Sequence, residues 1–338
     1  MSFGKNEMEE RFADLGRVAA LDRLYEGTSL SRDAAFLPQG GGRVVSASRL
    51  LTEGVDFSLV YFPLKHLGGK AVTTVTGMLC AQLACPRTLC VRVGVSAKLD
   101  FSQVKELWDG ICAMALEYGY TGADLDLSPS PNGLTISVSA FGEVPPFFAE
   151  RSEPQSKDLL CVSGRLGSAY LGLQVLERER TRFEQTGEQP RMETYRMMIG
   201  AYLHPEFDAR IVEQLAAAGI TPTAACWVTR GLSDAVRSLV RGTGLGAKVY
   251  ADHIPFEGNS FALGKELGID PVSAAMNGGE DECLLLAVPI LQAESFRRDF
   301  QTFAIVGHLA QSDVGAVLVS PDGLEFPMKA QGWDNPEE

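Results

Sequence analysis

The chain has 338 residues, 45% of them apolar and 22% charged, which suits a water-soluble globular protein with room for two sizeable cores. A net charge of −13 argues against general nucleic-acid binding, because a phosphate backbone would repel it, but leaves room for a small basic pocket. No apolar run reaches the roughly 18–20 residues of a membrane-spanning helix, and the N-terminal segment mixes charges without an apolar core, so neither a membrane span nor a secretory leader is expected.

In chain order, Phe12, Leu15, Val18, Leu21 and Leu24 recur at helical spacing and predict an amphipathic helix over Met8–Leu24. Pro-Gln-Gly-Gly-Gly at 38–42 reads as a turn before a strand at Val44–Val45. Leu67–Ala84 reads as a helix whose many small residues imply close packing. A strand is expected at Leu89–Val95, a helix at Phe101–Tyr118 stopped by Gly119, and a strand at Leu134–Phe141. Pro145-Pro146 and the polar stretch to Asp158 mark a domain boundary, giving domains of 1–148 and 149–338. The second half restarts with a strand at Leu159–Val162 and a helix through Leu176, followed by a charged, mobile insert at Arg178–Arg191. Helices are predicted at Phe207–Ala218, Leu232–Val240 and Gly264–Leu267, and strands at Thr223–Thr229, Leu284–Val288, Phe303–Val306 and Ala316–Val319. Strands and helices alternate in both halves, so the fold class is α/β or α+β.

The most informative stretch is 277–288. An Asn277-Gly278-Gly279 turn leads into three adjacent acids, Glu280, Asp281 and Glu282, and then into an apolar run too short for a helix. Paired glycines let backbone approach a ligand closely, and crowded acids at a strand mouth suit a cation or a polar substrate. A hairpin with solvated acids is the competing account.

Several segments then line up together. They are Glu53-Gly54-Val55-Asp56-Phe57, Leu64-Lys65-His66-Leu67-Gly68-Gly69-Lys70-Ala71, Gly133–Glu143, Cys161-Val162-Ser163-Gly164 with Leu166-Gly167, Asn277–Asp281, and Lys329-Ala330-Gln331-Gly332-Trp333. In this order, over nearly the whole chain, they resemble thiamine-monophosphate kinase of the aminoimidazole ribonucleotide synthetase superfamily. The resemblance implies a two-domain α/β fold whose N-terminal sheet pairs with a twofold mate into a barrel, hence a homodimer. It implies ATP, magnesium ions and thiamine phosphate as ligands, and a cytoplasmic enzyme that transfers the ATP γ-phosphoryl group onto thiamine phosphate. In such chemistry, aspartate-held magnesium screens phosphate charge as the phosphates approach.

Those aspartates are where the chain departs from the family. The family's Gly-Asp-Asp-Ala-Ala is Ser31-Arg32-Asp33-Ala34-Ala35 here, and Thr-Thr-Asp is Ala47-Ser48-Arg49. The substrate-side histidine becomes Asp56, and Asn-x-Ser-Asp becomes Val75-Thr76-Gly77-Met78. Gly-Gly-Asp-Thr is matched by Asp124-Leu125-Asp126-Leu127, which keeps Asp126. Asp-x-Ser-Asp-Gly-Leu is Trp227-Val228-Thr229-Arg230-Gly231-Leu232, with both acids gone. Asp33 and Asp126 are thus the retained candidate metal ligands. Carried over residue by residue, the resemblance assigns Arg32, Ser48, Arg49, Asp126, Arg151, Thr229 and Arg230 to the nucleotide phosphates. It assigns Asp56, Gly279, Glu280, Asp281 and Trp333 to the substrate.

Three of the lost acids have become arginine. At ~4 Å and an effective dielectric of ~20, each unit-charge repulsion between arginine and cation costs about 4 kcal/mol, and a divalent ion doubles it. The usual multi-magnesium arrangement is therefore not expected. Three accounts follow. The arginines replace the metal ions and bind phosphate directly; they pair with leftover acids in a vestigial cleft; or a kinase persists with rearranged ligands. Other signals are weak. His66, His204, His253 and His308 are scattered, and Gly242–Gly246 lies in the wrong order for a dinucleotide loop. Seven cysteines without a C-x-x-C pair read as reduced, buried thiols.

Overall fold

The computed structural model describes residues 23–28 and 43–330. Arg32, Asp33, Trp333 and nearly all of the predicted opening helix lie outside the described residues. The described chain forms two compact units. One comprises Val44–Thr76 and Pro86–Glu143; the other comprises Arg43, Gly77–Cys85 and the chain from Val144 on.

The first unit has strands β1 (Val44–Thr52), β2 (Cys85–Ser96), β3 (Gly122–Ser130) and β4 (Thr135–Glu143), with helices α1 (Leu64–Cys80) and α2 (Phe101–Glu117). The sheet order is β1-β4-β2-β3. β1 and β4 run antiparallel, whereas β2 and β3 run parallel across the α2 crossover. The small residues of α1 do bring backbones close. A Cβ on Gly68 would lie 2.2 Å from the Leu107 carbonyl oxygen, and one on Gly110 would lie 2.0 Å from that of Lys65. Asp100 starts α2 with a reciprocal capping box to Gln103, and Gly119 follows its end at φ +80°. Strand alternation buries Leu89, Val91 and Val93 of β2 and Ile136, Val138 and Ala140 of β4 on one face. The opposite face carries Ser48, Cys90, Arg92, Asp124, Asp126 and Ser139 and is only partly shielded.

The second unit opens with β5 (Leu159–Ser163), α3 (Ser168–Thr186), α4 (Arg196–Leu203), α5 (Ile211–Ala217), β6 (Ala224–Val228) and α6 (Leu232–Val240). It continues through β7 (Leu245–Tyr250), α7 (Ser260–Leu267), α8 (Pro271–Asn277), β8 (Cys283–Val288), α9 (Ala293–Asp299), β9 (Phe303–Gln311), β10 (Ala316–Val319) and β11 (Glu325–Pro327). The seven-stranded sheet has the order β11-β10-β7-β9-β5-β8-β6. Every residue of β8 is buried, as expected for an apolar run flanked by strands on both sides. Burying each of its leucines contributes about 2 kcal/mol. Leu232, Ala235, Val236 and Leu239 of α6, with Ala275 and Met276 of α8, form one core with the inner residues of β5, β7 and β8.

The insert expected at 178–191 is corrected: α3 runs on to Thr186 and ends on Gly187 at φ +70°. Arg178 accounts for the difference. It bonds the buried Glu179, and it reaches Glu266 of α7 at 2.7 Å, so charges read as solvated anchor the helix. Replacing Gly110 by alanine should place a methyl against the α1 backbone and destabilise the protein by about 1–3 kcal/mol or more. Urea unfolding of this variant beside the parent checks that expectation.

Candidate functional site

In the first unit, β1 splits two residues that sequence reading grouped together. Ser48 points to the partly shielded face and bonds the Ser139 hydroxyl at 2.8 Å. Arg49 lies on the opposite face, opposite the buried Val138. Its guanidinium meets Asp56 at 3.2 Å, and the second Asp56 oxygen accepts the Thr52 amide at 2.8 Å. A residue expected at the nucleotide and one expected at the substrate are therefore bonded to each other. On the partly shielded face, Arg92 pairs with Asp124 at 2.5 Å and also bonds its carbonyl oxygen. Asp126 accepts its own neighbour's amide, that of Leu127, at 2.9 Å.

In the second unit, the loop after β6 and the loop before β8 pack backbone to backbone. Glu280 N–H donates to the Thr229 carbonyl at 2.7 Å. Gly279 and Gly231 adopt φ of +80° and +94°, and a Cβ on either would strike main-chain oxygen, of Thr229 and Met276 respectively. These close approaches explain why the turn needs its glycines. Arg230 sits exposed on this rim, just ahead of α6.

Two of the three acids turn inward. Asp281 turns inward, where its carboxylate accepts the Gly167 amide at 2.8 Å and the Ala169 amide at 3.3 Å, at the first turn of α3. Burial raises its pKa most; the two amides lower it, and Glu280 and Glu282 raise it again, for a value of about 7. The residue as a whole is only half-buried, but its carboxyl is enclosed. Glu282 is 2% exposed and accepts the indole N–H of Trp227. The Trp227 ring stacks edge-on against Phe207 at 4.7 Å. It also rests on Gly77, in the C-terminal end of α1 that belongs to this second unit, where a Cβ would lie 2.3 Å from the ring. Sequence reading had grouped Glu282 with the crowded acids at the strand mouth and treated Trp227 as a simple loss. The available signal was reciprocal: an acid gives way to an aromatic in one motif while an acid enters another.

Arg151 is half-buried, and its Nε atom has no hydrogen-bond partner. Burial, with the nearby charge of Arg43, pulls its pKa down to about 10. Among the described residues, no ion pair neutralises either guanidinium. Magnesium requires about six oxygen ligands in tight octahedral geometry. Among the described residues, no three His, Cys, Asp or Glu side chains gather to hold an ion. Trp227 and Arg230, standing where acids are expected, offer no oxygen donor, and Asp56 is paired with the Arg49 guanidinium, whose buried Nε has no hydrogen-bond partner. The described residues do not fit a magnesium cage.

No family model matches the chain. Thiamine-monophosphate kinase of Synechococcus elongatus is 29% identical over 283 residues, covering 81% of each chain. The crystal structure of thiamine-monophosphate kinase from Aquifex aeolicus superposes with a TM-score of 0.71 at 21% identity, covering 94% of this chain and 99% of the other. A relative in complex with AMPPCP and TMP superposes with a TM-score of 0.70 at 20% identity, covering 93% and 98%. These likenesses extend over the full two-unit fold. Within it, Glu282→Ala should strand a buried indole donor and cost about 1–3 kcal/mol of stability. Thermal and urea unfolding measure this, and Glu282→Gln, which keeps an acceptor oxygen, should cost less.

Proposed function

We propose, from the premise that this chain belongs to the thiamine-monophosphate kinase and aminoimidazole ribonucleotide synthetase-like family, that it binds a phosphorylated ligand through arginine and has given up metal-dependent phosphoryl transfer. The observation that carries this reading is the buried Trp227–Glu282 pair. It stands where the family motif begins with a carboxylate, and it fills that position with a ring closed off by its own acid. Relatives provide the ligand class. One is bound to AMPPCP and TMP, so ATP and thiamine phosphate are the first candidates here.

Arg151 supports the binding half of the reading. A half-enclosed guanidinium with an unpaired Nε and a second arginine nearby is a local excess of positive charge. A phosphate oxygen would neutralise it and satisfy that Nε. Arg230 adds an exposed cation on the rim of the second unit. In this reading, residues 1–148 carry the nucleotide and dimer side and residues 149–338 the substrate side of a cytoplasmic homodimer. The polar, partly shielded face of the first sheet is the surface such a dimer would cover. Arg49 is the weaker candidate, because Asp56 already neutralises its charge although its Nε is unpaired. What this chain's residues do is hold and screen a phosphate; they do not assemble a path for its transfer.

Calorimetry with ATP, thiamine phosphate and thiamine diphosphate, each in magnesium and in EDTA, tests the proposal. At least one ligand should bind equally well in both, with no ADP released above the uncatalysed rate. Arg151→Ala should weaken that binding by roughly 10- to 100-fold, the worth of a charged hydrogen bond. Turnover that requires magnesium and vanishes in EDTA would overturn the reading, as would the absence of heat from all three ligands.

A further inference from the structure

The number of phosphates a metal-free site can take follows from the cations left without acids. Arg43 and Arg151 belong to the same compact unit. The backbone holds them near each other. The Arg43 carbonyl accepts the Val144 amide at 2.9 Å, and a 3-10 turn over Pro146–Phe148 shortens the path from there to Arg151. Among the described residues, neither guanidinium has an acid as its partner. Glu143, which faces Val44 in the β1–β4 ladder, pairs with Arg87 at 3.5 Å instead. Arg43 is exposed, whereas Arg151 is half-buried with its Nε enclosed and unbonded. Two like charges held together without an acid are unfavourable, and an anion shared between them removes the penalty.

We propose, resting on the metal-free phosphate reading above, that Arg43 and Arg151 form a subsite for one terminal phosphate, and that this subsite selects a phosphomonoester over a di- or triphosphate. The fork of Arg151, Nε with one terminal nitrogen, matches two oxygens of one phosphate, and Arg43 takes the third. A phosphate inside a polyphosphate chain has only two free oxygens and cannot make all three contacts.

Charge points the same way. A phosphomonoester carries about 1.5–2 negative charges near pH 7, which two guanidiniums balance. Each further phosphate adds about one more. Kinases screen that excess with magnesium, but among the described residues no acidic cluster holds an ion. Arg230 does not supply the missing charge. The Glu280 amide is bonded to the Thr229 carbonyl beside it, so a carboxylate shares that rim. The net charge of −13 on the chain adds a general repulsion against a polyanion.

Calorimetry on the full chain in EDTA tests this. Thiamine phosphate, the phosphomonoester probe, should bind roughly 10-fold or more tighter than thiamine diphosphate or ATP, and inorganic phosphate should compete with it. Arg43→Ala removes an exposed side chain that no acid holds, so the fold should survive and thermal unfolding should be unchanged. Thiamine phosphate should nevertheless bind about 10-fold more weakly to it. Arg151→Lys keeps the charge but not the fork, and should also weaken binding about 10-fold. ATP or thiamine diphosphate binding as tightly as thiamine phosphate in EDTA would overturn this inference while leaving metal-free binding in place. So would an unchanged affinity in either folded variant, or a failure of inorganic phosphate to compete. An absence of heat from every probe would instead remove the underlying reading, and this inference with it.

Discussion

Glu282 is buried under an indole, and much of the second unit's rim follows from that. A carboxylate withdrawn from water needs a strong donor, and Trp227 is the donor it has. The bond sits at the strand mouth before β8, where Glu280 and Glu282 adopt left-handed backbone. Asp281 is thereby aimed at the start of α3 rather than at solvent. The Thr229–Arg230 loop is then packed against glycines that admit no side chain. One donor–acceptor pair thus orders two loops and a helix end.

Charge is balanced unevenly among the arginines. Arg49 is quenched by Asp56, and Arg92, on the other face of the same sheet, by Asp124. Exposed or half-exposed pairs of this kind contribute at most about 1 kcal/mol, so they describe neutrality rather than stability. Arg151 differs because burial removes water from it while, among the described residues, no acid pairs with it. Cations with partners and cations without them therefore divide into structural and ligand-facing groups. That division favours the paired account at Arg49 and leaves Arg151 as the candidate that faces a phosphate.

The elements with strong periodicity were readable from residues alone. Leu232–Val240 and Ala316–Val319 coincide with the structure, and the small residues of α1 correctly signalled close helix contact. β3 was missed because its outward face alternates Gly122, Asp124 and Asp126, which reads as loop. Residues 178–186 were misread because ion pairs, not apolar burial, hold that part of α3. At the site, residue identity was legible but direction was not. Nothing in Ser48-Arg49 says that neighbours on a strand leave by opposite faces until the strand itself is known. Nor does Glu280-Asp281-Glu282 announce that two of its acids turn inward, because that depends on amides and an indole more than fifty residues away in sequence.

Gly77 beneath the Trp227 ring has an evolutionary consequence. Restoring aspartate at 227 alone would leave a ring-sized hole over the helix and set the new acid against a stranded Glu282. Restoring a side chain at 77 alone would collide with the indole. Each of these single changes is opposed by the residues already in place, so the arrangement behaves as a ratchet whose one-step alterations lead through less stable proteins.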